Sequence, residues 1–169
     1  DFIKADDIVP FPAEVEAVAK AIKKSGRPIV LSLSPGGFVD DTQLDFFKLG
    51  NMLRVTHDIW DEQIGLDQCF KAWRKWQGKE DANFFIDMDM IPFGELQVMN
   101  PVPEGLTGNE SNAEIKQMKK EGKLKNIELL SGKGFHRQSQ FTQDEMRTFI
   151  TMRALAASPL MMGGNLLTI

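Results

Sequence analysis

An α/β fold, with strands alternating with helices and paired in parallel, is the class this sequence predicts, and three observations carry it. Four short apolar runs, over 2–7, 29–34, 52–58 and 84–89, each end on polar or acidic residues: Asp6 and Asp7, Ser34, Asp58, and Asp87 and Asp89. Helical patterns lie between them. Third, the Gly-rich phosphate loop of a nucleotide-binding sheet is missing, because Gly36-Gly37 has neither the required spacing nor a helix directly behind it. Right-handed crossovers allow such a series to be a doubly wound sheet or a barrel. Acids gathered at several strand ends favour a (β/α)8 TIM barrel, whose functional groups sit at the carboxyl ends of different strands and point into one mouth.

Each element has its own signal. Residues 11–26 read as a helix: Pro12 suits the first turn, Val15, Val18 and Ile22 form an apolar stripe, Lys23 and Lys24 favour the last turn, and Gly26 ends it. The run 28–33 is almost continuously apolar, as a parallel strand covered on both faces should be. Asp41 is the expected cap of a helix through Leu49, before the strand around 52–56. A helix over 65–76 carries Leu66, Cys69, Phe70 and Trp73 on one side. From Glu95 to Gln140 the periodicity lapses into a long excursion, with one short helix expected over 112–121. Thr142 and Glu145 make a capping-box pattern opening a helix to about Ala157, Ser158-Pro159 closes it, and 160–163 reads as a short strand.

Composition bounds the function. The 169 residues, 42% hydrophobic and 26% charged, suffice for one domain with a real core. A net charge of −4 gives no basic footprint, so no nucleic-acid partner is expected, and no apolar stretch is long enough for a membrane span. The single Cys69 excludes an internal disulfide and a Cys-rich metal site. The chain begins with Asp rather than Met, inside a strand-like run, and stops in an apolar stretch, so both ends are read as cut.

Chemistry-bearing residues concentrate at the strand ends. Lys4 and Asp6, two apart on one strand, share a side by pleat alternation, and the lysine can hold the carboxylate ionised or bind a hydroxyl; the competing reading is that Asp6 or Asp7 caps the next helix. Arg54 and Asp58 bracket the third strand end, with His57 beside the acid and Trp60 beyond. Aromatic surface there would desolvate Asp58 and suit it to a general acid, against a plain Arg–Asp surface pair. Asp87 and Asp89 should face one side of their strand, where they could accept sugar hydroxyls or chelate a divalent cation. Two carboxylates with separate nucleophile and acid roles are what cleavage of a glycosidic bond requires. His136 has no second His or Cys at metal-ligand spacing, and no Ser or Cys triad assembles.

Taken in order, these segments resemble the catalytic barrel of glycoside hydrolase family 27, the melibiase or α-galactosidase family. Lys4-Ala-Asp6 looks like its K-x-D nucleophile strand, and Arg54-Val-Thr-His-Asp58 its R-x-x-x-D acid/base segment. Phe85-Ile-Asp-Met-Asp-Met90 is similar to the W-x-D-x-D-M strand, with Phe85 in place of Trp, and 155–164 resembles the SPL-containing end of the barrel, with Arg153 where an aromatic is common. The resemblance implies a retaining glycoside hydrolase releasing terminal α-linked galactose. Asp6 would be the nucleophile and Asp58 the acid/base, their carboxyl groups about 5–5.5 Å apart. Lys4, Arg54, Asp89 and Met90 would bind the sugar, Asp87 would support that wall, and Ser34 would lie near the 2-substituent. A carbohydrate substrate is the implied partner, and neither cofactor nor metal is implied. By the family's order, residues 1–169 are the C-terminal portion of the barrel, about strands four to eight; the upstream strands and the usual C-terminal β-sandwich are absent. Remaining alternatives are an α-N-acetylgalactosaminidase or β-L-arabinopyranosidase of the same family, a metal-dependent barrel enzyme with Asp6, Asp87 and Asp89 as ligands, and a non-catalytic carbohydrate-binding protein.

Overall fold

The computed structural model describes residues 1–6, 11–35, 39–98, 114, 117–118, 120–123 and 135–169. Its centre is a parallel sheet in the order β1 (Phe2–Asp6), β2 (Val30–Ser34), β3 (Met52–Arg54), β4 (Phe85–Asp87). The chain steps to each next strand through a helix or helical turn: α1 (Pro12–Ser25), α2 (Leu44–Phe47) and α3 (Gln63–Trp76). Just beyond β4, β5 (Met90–Ile91) pairs in parallel with β8 (Met161–Met162), which follows α4 (Gln143–Leu155). The α/β class and its parallel pairing are therefore as expected.

One sheet face is covered and the other carries the chemistry. Leu31, Leu33, Leu53 and Ile86 join a core with Val15 of α1 and Leu66, Cys69, Ala72 and Trp76 of α3, while Val18 and Ile22 pack against it. Gly26 ends α1 in the left-handed conformation at φ 70°, which glycine adopts without a Cβ penalty. Thr142 accepts from the Glu145 amide and Glu145 bonds back to the Thr142 amide, so the expected capping box opens α4.

Several expectations needed correction. Asp40, not Asp41, caps the segment after β2, accepting from the Thr42 amide; a 3-10 turn, Asp41–Gln43, leads into α2, which ends at Phe47 rather than Leu49. Phe70 is 42% exposed, and the buried stripe of α3 is Leu66, Cys69, Ala72 and Trp76. The stretch from Glu95 contains an antiparallel pair, β6 (Glu95–Val98) with β7 (Phe135–Gln138), where a long excursion with one short helix and no strand was expected. His136 falls on β7. Half of the helix expected over 112–121, as well as Asp7, Gly36 and Gly37, lies outside the described residues.

Gly164 marks a close approach: a Cβ added there would stand 1.9 Å from the Phe93 carbonyl oxygen, which is backbone and cannot swing away. Gly164→Ala should therefore destabilise the protein by about 1–3 kcal/mol, the usual penalty of overpacking. A denaturant midpoint equal to that of the unsubstituted protein would show that the segment after β8 has room to shift.

Candidate active site

The register places the functional side chains. Lys4 pairs with Ser32 and Asp6 with Ser34 across β1 and β2, and Arg54 pairs with Asp87 across β3 and β4. Residues paired across parallel strands point to one side, and residues two apart along a strand share that side. Leu31, Leu33, Leu53 and Ile86 turn to the helices, so the alternate positions turn to the opposite face. There Lys4, Asp6, Ser32, Arg54, Asp58, Asp87, Asp89 and Met90 line one cleft of about 450 Å3, completed by Phe2, Trp60, Met161, Met162 and Gly163. Of the eight residues expected at the site, seven line this cleft. Ser34 is fully buried beside Asp6.

Charge is paired across the cleft. Lys4 Nζ lies 3.7 Å from Asp6, so the expected same-side placement holds. Arg54, 92% buried at its side chain, reaches Asp58 at 2.5 Å and Asp89 at 3.3 Å, and its Nε donates to the Thr56 carbonyl at 3.1 Å. The nearby Ser34 hydroxyl, with the Lys4 and Arg54 cations, holds the Asp6 carboxyl below its ordinary range. That hydroxyl has no hydrogen-bond partner at standard geometry, so it acts as a close dipole rather than through a formed bond. Asp87 is pushed the other way because burial disfavours its charge.

Two expectations about the acids differ in detail. The Asp58 side chain is 73% exposed, so Trp60 does not shield it; Arg54 holds it instead. Asp87 and Asp89 do not share a face by pleat alternation, because the strand breaks after Asp87 and Asp89 stands at φ 67°. A non-glycine residue in the left-handed region is uncommon, and its persistence requires that the surroundings over-determine it. Here the Asp89 amide donates to Asp87 Oδ1 at 2.8 Å and Asp89 Oδ2 accepts the Ile59 amide at 2.8 Å. Among the described residues, no three His, Cys, Asp or Glu side chains form a group able to hold a metal ion.

Sequence reasoning placed the half-buried Trp60 near Asp58 but missed two other lining features. Phe2, Met161 and Met162 supply apolar wall. Gly163 packs against Met90: a Cβ there would meet the Met90 sulfur at 2.8 Å. The doubled methionine and doubled glycine of 161–164 carried the signal, since a wide side chain followed by none is a fitted contact. No described helix is long and apolar enough to cross a membrane.

A parallel α/β sheet gathers acids and cations at the carboxyl ends of its strands, and solved structures of glycoside hydrolases share this fold over the whole chain. Over all of its length the chain matches a glycoside hydrolase family 27 β-L-arabinopyranosidase from Geobacillus stearothermophilus, with 32% identity and a TM-score of 0.74. An aspartate-to-alanine variant of that enzyme in complex with arabinose matches equally, at 32% identity and 0.74. A Bacillus halodurans protein provisionally described as an α-N-acetylgalactosaminidase matches the whole chain at 27% identity and 0.61. The chain spans 34% of the length of each of these proteins. No protein-family model and no curated protein sequence matches it. The resemblance to glycoside hydrolase family 27 carried by the sequence motifs is thus a resemblance of structure as well, to a glycosidase fold of which this chain corresponds to a part.

Proposed function

We propose that this chain is part of a retaining glycoside hydrolase that removes a terminal sugar of galactose-like configuration, α-D-galactose or the related β-L-arabinopyranose. The observation that supports it most is the single cleft at the strand ends, where Asp6 and Asp58 stand with Lys4, Arg54 and Asp89 around them. In this reading Asp6, ionised because Ser34, Lys4 and Arg54 favour its charge, attacks the anomeric carbon and forms a covalent glycosyl ester. Asp58 donates a proton to the departing oxygen, then takes one from the water that cleaves the ester. Lys4, Arg54 and Asp89 bind hydroxyls, Met90 packs on the ring, and the buried Asp87 fixes the Asp89 amide.

The pentose belongs beside the hexose because β-L-arabinopyranose presents the same ring stereochemistry without the exocyclic hydroxymethyl, and the solved arabinopyranosidase has the higher identity and TM-score of the two kinds of relative. A mechanism-based 2-fluoro glycoside of each sugar, followed by peptide mass spectrometry of the intact protein, tests the reading. The label is expected on Asp6. A label elsewhere, or none with either sugar while hydrolysis proceeds, would sink it; sugar binding without turnover would favour the non-catalytic alternative.

Specificity at the 2-position is assigned to Ser34 and the small residues after it. The Ser34 hydroxyl is buried and unpartnered next to Asp6, so it can bond to a substituent that arrives there. Ser34→Glu should lower activity on an acetamido sugar relative to its hydroxyl counterpart by about tenfold, since a larger charged side chain takes the room and leaves the amide unpaired. An unchanged ratio of kcat/KM for the two aryl glycosides would show that Ser34 does not face the 2-substituent.

A further inference from the structure

Arg153 contributes nothing to the cleft wall, yet it is completely buried, and its position is unusual for a cation. It lies in the last turn of α4, with its guanidinium carbon over the Phe149 ring, 3.6 Å from the centroid. Nη2 donates to three successive carbonyls: Met88 at 2.7 Å, Asp89 at 3.4 Å and Met90 at 3.2 Å. Nη1 reaches the Cys69 sulfur at 3.7 Å, and Nε has no partner. No described carboxylate makes an ion pair with it; Asp87 and Asp89 act on it only from a distance.

A desolvated cation is costly to bury, so what it gains must lie in the groups it grips. Those groups are the backbone of the one stretch where the barrel strand breaks and Asp89 turns left-handed. The same stretch is held from the segment after α4 as well, because the Met88 amide donates to Ser158 Oγ at 3.0 Å. Asp89 in turn meets Arg54, and Arg54 holds Asp58. A chain of direct contacts therefore runs from α4 to both the sugar-binding wall and the candidate acid.

We infer that Arg153 is a positioning residue for the substrate pocket, clamping the carbonyls of Met88, Asp89 and Met90 so that the Asp89 carboxylate is aimed at substrate and at Arg54. This rests on the proposed role of Asp89 in holding the sugar. Arginine suits the task because its planar fork offers several fixed donors and stacks on an aromatic face, whereas a lysine at this place would reach fewer of the carbonyls and could not stack flat.

The test is a double-mutant cycle in the intact protein carrying this segment, read as kcat/KM on the 4-nitrophenyl glycosides of α-D-galactose and β-L-arabinopyranose. Arg153→Met and Asp89→Ala should each lower kcat/KM by about tenfold or more, and the double variant should be no worse than Asp89→Ala alone, because one acts through the other. Arg153→Lys should show a smaller loss coupled to Asp89 in the same way, and supplies the cycle should Arg153→Met fail to fold. Val15→Ala, a core change in α1, calibrates loss of stability without loss of kcat/KM well below the unfolding temperature. Additive losses for Arg153 and Asp89, or an Arg153→Lys protein that merely melts earlier as Val15→Ala does, would overturn the positioning role alone. An Asp89→Ala protein with full activity would overturn it together with the proposed role of Asp89.

Discussion

Asp6→Asn should remove turnover of every glycoside by the intact protein, while Asp58→Asn should spare the first chemical step on substrates with a good leaving group. The asymmetry follows from what each carboxylate would do. In the proposed reading Asp6 would supply the electron pair that bonds to the anomeric carbon, and an amide of the same shape could not replace it. Asp58 would supply a proton, which a 4-nitrophenolate leaving group does not need but a sugar alcohol does; general acid catalysis is worth about 10²- to 10⁴-fold, so loss of that order is expected for an unactivated oligosaccharide. Neither substitution should unfold the protein, because the two side chains are 60% and 73% exposed and lie at the ends of paired elements rather than in the core. Pre-steady-state release of nitrophenol followed by external azide as a substitute nucleophile separates the two steps. Equal, severe loss of the first step for both leaving groups in Asp58→Asn would reverse or remove the assignment.

The same experiment carries a pH dependence with a definite sign. As the proposed nucleophile Asp6 would have to be ionised to attack, and its pKa is lowered, so the limb of kcat/KM that it governs should lie below the ordinary aspartate value of about 3.9 and fall as pH drops through it. Ser34→Ala removes the hydroxyl that does most to lower it and should move that limb upward.

What the sequence made legible, and what it hid, follows from the range of the interactions involved. Pro12, Gly26 and the Thr142–Glu145 pair act within one helical turn, so α1 and α4 could be delimited from their own residues. Strand ends in β1, β3 and β4 were legible because a parallel strand is an apolar run that stops where the chain meets the mouth. The β6–β7 pair escaped because Val98 meets Phe135 across a separation no turn signal spans. Asp89 escaped in part: alternation put it beside Asp87, but the chain leaves the strand there, held by Ile59, Arg54 and Arg153 from three other segments. Asp58 shows the converse. Its neighbour Trp60 suggested a shielded acid, yet the carboxylate stays in solvent because Arg54, four residues back, reaches it first.

The segment 1–169 on its own should be inactive and should not unfold cooperatively, despite holding both candidate catalytic acids. β1 pairs with β2 alone among the described residues, so its other edge presents unpaired backbone groups, and Phe2 and Ile3 beside it are 50% and 41% exposed. At the opposite end, among the described residues, β8 pairs only with β5, and Leu160, Leu166 and Leu167 are 62%, 67% and 94% exposed. An open edge flanked by apolar side chains is a template for aggregation, and a barrel removes it only by closing. The solved relatives are about three times as long as this chain. Unless further strands close the sheet, Asp6 and Asp58 face a cleft open on one side, and positioning of a reacting pair is worth several orders of magnitude in rate. Expressed alone, residues 1–169 should sediment as aggregates, show no sharp thermal transition, and release no nitrophenol from either aryl glycoside. A soluble monomer with a single cooperative transition and turnover matching the intact protein would mean that the pocket is complete as it stands and that the segment is an autonomous enzyme.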